Sequence, residues 1–131
     1  MKKISKSYVS MVWQPLAEDP NMDSKFLGLN LNNKKSLHSI FSGLIKPSYD
    51  RLVPFIKKRC KNSFAYAINF YDEQKLMRLY ESAMPVFDPP SDMSIKQFYI
   101  AVWEMLFPEE DYKIKNSDEY IEIDFSQLYE K

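Results

Sequence analysis

The sequence is poor in the residues from which most protein chemistry is built. Its 131 residues include one cysteine, Cys60, one histidine, His38, and two glycines, Gly28 and Gly43. A lone cysteine admits no intramolecular disulfide and suits a reducing compartment, so a cytoplasmic protein is expected. One Cys and one His cannot supply the four-ligand set of a structural zinc site, and no metal or cofactor is expected. Phosphate-cradling loops need several glycines where the backbone closes on the anion; Gly28 and Gly43 form neither a P-loop nor a dinucleotide fingerprint. Long apolar runs are missing too. The most apolar window, Phe98 to Phe107, contains Glu104 and is well short of the ~18 residues of a membrane span. The basic start, Met1 to Lys6, leads into Tyr8 to Trp13, which Gln14-Pro15 closes before it reaches the length of about 7–15 residues that a secretory leader needs. Cys60 and His38 are the one nucleophile and base that the inventory allows, but Cys60 also reads as a small hydrophobe at the end of a basic helix. The chain is therefore read as non-enzymatic.

Core material is plentiful. Apolar types make up 45% of the residues and aromatics 15%, enough for one domain covering 1–131. The 18 basic and 18 acidic residues cancel, yet they are not evenly spread. Residues 1–78 carry a net charge of +8 and residues 79–131 a net charge of −8.

Residues 4–13 predict a strand, with β-formers between Ser5, Ser7 and Ser10. From Gln14 to Asn33, Pro15, Pro20, Gly28 and several asparagines predict irregular chain anchored by Phe26, Leu27, Leu29 and Leu31. Leu37, Ile40, Phe41, Leu44 and Ile45 share one helical stripe that Pro47 should end. A second helix, capped by Ser48 and running to Asn62, should be kinked or divided by Pro54. Residues 64–71 fit strand alternation and a helical face alike, with strand favoured by aromatic density; 72–83 reads as helix. Pro85, Pro89 and Pro90 make 84–92 a stiff connector. Ser94 and Gln97 form a capping box that opens a helix ended by Pro108. Tyr112–Lys115 and Tyr120–Phe125 read as a hairpin, with Ile121, Ile123 and Phe125 facing the core. The expected fold class is α+β, several helices on a small antiparallel sheet that includes this C-terminal hairpin; the alternative is a mostly α domain with one hairpin.

Two charged constellations are candidate sites. The acidic one comprises Glu109, Glu110 and Asp111 on a turn, Asp118 and Glu119 at the hairpin tip, and Glu122 and Asp124 on one strand face, with Tyr112 and Tyr120 as large anchors. Same-sign charges on one surface speed and orient association with a positive partner, which points to protein binding. Calcium and glycosidase readings of these carboxylates lack a turn glycine and a substrate groove respectively. The basic constellation is Lys57, Lys58, Arg59 and Lys61, with Lys46, Arg51 and neighbouring aromatics. Cations interleaved with rings suit phosphate neutralisation and base stacking, so a nucleic-acid-associated regulator is the alternative function. Cations at a helix C-terminus also complement the macrodipole with no ligand involved.

As a whole the chain resembles bacterial toxin-immunity proteins of the contact-dependent-inhibition or bacteriocin type. It shares their small size, absence of cofactor motifs, richness in Lys, Asn, Ser and aromatics, and single strongly charged patch. The resemblance is one of type and transfers no site residues. It implies a cytoplasmic antitoxin that binds a cognate toxin domain, such as a nuclease with a basic active-site face, and occludes it, with no membrane partner.

Overall fold

The computed structural model describes residues 1–131 and is mostly helical. Strand β1 (Lys2–Ile4) leads into α1 (Lys6–Trp13), followed by α2 (Lys34–Ile40), α3 (Lys46–Asp50), α4 (Pro54–Phe70), α5 (Glu73–Ser82), α6 (Ile95–Leu106) and β2 (Tyr120–Glu122). The only sheet is the parallel pair β1–β2, in register Lys2↔Tyr120, Lys3↔Ile121 and Ile4↔Glu122. No helix is long and apolar enough to cross a membrane.

The strand expected over 4–13 is helix from Lys6 onward. Ser5 caps it, its hydroxyl accepting from the Ser7 N–H at 3.2 Å. Tyr8, Val9, Val12 and Trp13 then fall on one helical face, and all four are buried. Burying that face against α4 and α5 outweighs the modest β-propensity of the same residues.

One proline acts as expected and one does not. Pro54 divides the run expected over 48–62 rather than kinking it: α3 ends at Asp50, and Pro54 stands in the first turn of α4 behind an extended Val53. A missing N–H costs nothing there, and the fixed φ is already helical. Pro47 does not stop the preceding helix. The chain widens into a π-turn over Phe41–Ile45 and continues into α3, with Pro47 in its first turn. Gly43 lies within that turn, and a Cβ there would run into the Phe26 ring, so the close approach requires glycine.

Residues 64–71, where strand was favoured, are the last turns of α4 as far as Phe70, with Tyr71 extended just beyond. Ile56, Cys60, Phe64, Ala67 and Ile68 make one continuous buried stripe. Asp72 then caps α5 through the Lys75 N–H at 2.8 Å. The Ser94–Gln97 capping box forms as expected and starts α6.

Trp13 is at the centre of the core. Phe64, Tyr80, Phe98 and Tyr99 from α4, α5 and α6 pack on its indole with centroid separations of 4.9–5.6 Å. Tyr99 donates to the Leu76 carbonyl and Tyr80 to that of Phe87, each at 2.7 Å, so both buried phenols are satisfied. The indole N–H of Trp13 is buried with no hydrogen-bond partner.

The antiparallel C-terminal hairpin is absent. Asn69, near the end of α4, donates to the Tyr112 carbonyl at 2.8 Å and accepts from the Ile114 N–H at 3.2 Å. One side-chain amide thus takes the backbone groups a strand partner would have paired, and 112–115 forms no strand. The other half of the expected hairpin, β2, pairs with β1 at the opposite end of the chain, and the Ile123 N–H prolongs that ladder to the Ile4 carbonyl at 3.0 Å.

Candidate protein-binding face

The C-terminal segment is held to the helical body at two places. Strand β1 packs on α4, which makes β2 the outer strand of the pair. Further on, Leu128 is buried to 2% exposure, and its carbonyl accepts from the Tyr8 hydroxyl at 2.5 Å and from Arg59 Nη1 at 3.4 Å. Arg59 also donates to the Tyr8 hydroxyl at 3.1 Å, and its guanidinium lies 4.9 Å from the Phe55 ring centroid. A carbonyl, a phenol and an aromatic face therefore accommodate a buried cation that has no carboxylate within ion-pair distance.

The acidic residues divide into engaged and free groups. Glu110 pairs with Lys61 at 2.8 Å, and its carbonyl accepts from the Trp103 indole at 2.8 Å. Glu119 meets Lys2 at 3.9 Å. Asp111 accepts from the Lys113 N–H at 2.9 Å, closing its own turn. Glu109, Asp118, Glu122 and Asp124 are exposed and form no ion pair. The −8 and +8 portions of the chain therefore meet at Lys61–Glu110 and Lys2–Glu119, while most of the 118–124 charge remains uncompensated.

The expected anchors lie differently. Tyr112 is half-buried against the core. Tyr120 is half-buried as well, its ring 5.5 Å from that of Tyr66, with Lys2 Nζ 5.1 Å from its centroid. Instead the outward apolar side chains are Ile121 (46% exposed), Phe125 (79%) and Tyr129 (73%). Ile121 and Phe125 were expected in the core. Their alternation with Glu122 and Asp124 was readable, but the buried side was not, because no layer covers the outer face of β2. Phe125 opens a short helical turn, Phe125–Gln127, that Leu128 and Tyr129 follow, and of these three only Leu128 is buried.

The basic constellation is dispersed. Arg59 is turned inward, 8% exposed, and Lys61 is held by Glu110. Lys57 is half-buried, its Nζ 5.4 Å from the Tyr49 ring centroid, which leaves Lys58 and the separate Arg51 fully outward. The rings read as stacking partners are committed to packing: Phe64 lies in the core and Tyr49 donates to the Lys57 carbonyl at 2.9 Å.

Cys60 is buried, and burial pushes its thiol up to about 12, away from the thiolate that a nucleophile requires. His38 is on an exposed turn of α2 with Ser42 Oγ 3.3 Å from Nε2. No three His, Cys, Asp or Glu side chains converge as a metal site would need. Comparison with protein-family models, curated proteins and solved structures gives no match for the chain.

Proposed function

We propose that this chain is a non-enzymatic binding protein that seats its C-terminal face, residues 118–130, on a basic protein partner, as an immunity protein does on its toxin. One observation carries the reading: Ile121, Phe125 and Tyr129 are exposed on the same segment as the unpaired Asp118, Glu122 and Asp124, and that segment is anchored through Leu128. Aromatic and aliphatic side chains supply desolvated anchors, and the carboxylates around them steer a cationic surface into place. A nuclease domain, whose substrate-binding face is basic by necessity, has the complementary chemistry and would be blocked by steric and electrostatic occlusion.

The test is co-expression with the product of the immediately upstream gene. A stoichiometric complex that silences a toxic activity, and is lost with Phe125→Asp or with combined charge reversal at Asp118, Glu122 and Asp124, is the expected result. An upstream product that neither binds the chain nor is silenced by it overturns the toxin reading. A complex unaffected by either change removes the C-terminal face from it.

A further inference from the structure

The end of α5 carries two features that oppose its own stability. Glu81 lies in the last turn, where the carbonyl end of the helix favours a cation, and that turn contains no basic residue. Met84, just beyond it, has φ of 54°, in the left-handed region that costs any residue with a Cβ. Its side chain is 77% exposed.

Both residues border an open groove of about 930 Å³ between the end of α5, the segment 83–89 and the chain that follows α1. Met77, Met84 and Val86 provide an apolar lining; Glu18, Glu81 and Asp88 provide the charge. No lysine or arginine lines the groove, and none of the three carboxylates takes part in an ion pair. The far wall is fixed to the body. The Val86 N–H donates to the Leu16 carbonyl at 2.9 Å, and the Phe87 carbonyl accepts from Tyr80 at 2.7 Å. The groove is thus preorganised, and little ordering entropy is lost when it is filled.

We infer that this groove docks a cationic peptide segment with an apolar centre, presented by a partner protein. Three carboxylates and the carbonyl end of α5 concentrate negative potential over an apolar lining, so the complementary ligand is a large apolar side chain flanked by lysine or arginine. Methionines suit such a lining because the flexible thioether adapts to varied shapes. The inference concerns a different surface from residues 118–130 and does not depend on that face.

The probe is a synthetic peptide of about 12 residues with lysines on both sides of a Leu-Phe-Leu centre, titrated into the isotope-labelled full chain at about 50 mM salt. Its twin carries glutamate at every lysine. Amide shifts centred on Glu18 and on 81–88, with the twin binding at least about tenfold more weakly, are expected. Glu81→Lys should weaken binding by about tenfold and raise the melting temperature, because the substitution complements the helix end. Met84→Gly should also raise the melting temperature while weakening binding several-fold. Lost binding in a more stable protein cannot be attributed to misfolding. Equal affinity for the twin, absence of binding, or a groove closed by self-association of the chain would each overturn the inference. Shifts confined to Asp118, Glu122 and Phe125 would overturn it too, while supporting the C-terminal face.

Discussion

The Tyr8 hydroxyl donates to the Leu128 carbonyl at 2.5 Å across 120 positions of sequence, joining the first helix to the last turn of the chain. Arg59 donates to both groups, so three distant residues form one clasp beneath the exposed Phe125 and Tyr129. The orientation of the candidate face therefore depends on a hydroxyl in α1 and a guanidinium in α4.

Removing that hydroxyl should loosen the face before it unfolds the protein. Tyr8→Phe keeps the ring in the core and is expected to cost about 1–2 kcal/mol, with faster amide exchange at Leu128 and Glu130 than in α4. Arg59→Met removes a buried cation lacking a carboxylate and should change global stability by less than about 1 kcal/mol. Urea denaturation and hydrogen exchange check both; a Tyr8→Phe protein with unchanged exchange at Leu128 and Glu130 would contradict the clasp.

Asn69 fixes the 112–114 segment through two backbone bonds. Asn69→Leu should cost about 2 kcal/mol, because it leaves a carbonyl and an N–H without partners in a partly buried place. The amide of Ile114 should lose protection first. Protection equal to the parent protein would show that the amide is not what holds this stretch.

Charge reversal at Asp118, Glu122 and Asp124 should leave the melting temperature nearly unchanged, since none of them pairs within the fold. Association with a basic partner should slow several-fold at low salt and converge with the parent rate as salt rises. Stopped-flow association across a salt series measures this, and a rate insensitive to the three changes would exclude steering by this face.

Alkaline stability should report on Cys60. Its thiol binds a proton more tightly folded than unfolded, with the folded value at about 12 against 9.0 in the open chain. Stability is then fully present below pH 9 and declines as pH rises towards 12, because the unfolded chain releases its proton first. The decline from this group is at most about 1.4 kcal/mol per pH unit. Burial also pushes the Tyr71 phenol up to about 12, with smaller contributions from Glu122 and Tyr66, which steepens the fall above pH 10. Cys60→Ala should flatten the decline between pH 9 and 10 whatever it does to stability at neutral pH; thermal melts over that range decide.

Much of this protein is fixed by local sequence rules. The Ser94–Gln97 box, the stripe from Leu37 to Ile45 and the helix over 72–83 were legible because each depends on residues within a turn or two of one another. The scarcity of cysteine, histidine and glycine likewise leaves the sequence without a P-loop, a dinucleotide fingerprint or a four-ligand Cys/His zinc set. The remaining features were decided by tertiary contacts. Tyr8, Val9, Val12 and Trp13 suit a strand and a helix alike, and the helix prevails because α4 and α5 bury that face. Ile121 and Phe125 alternate with acids as a half-buried strand would, but Asn69 occupies the backbone groups of the expected hairpin partner and β1 takes the strand from the other side. Side-chain alternation has a period of two and fixes which residues share a face; only the neighbouring elements fix which face is covered. The same holds for charge: the sequence determined that two opposite halves exist, while the fold decided that Arg59 and Lys61 are engaged within it and that Asp118, Glu122 and Asp124 remain uncompensated at the surface.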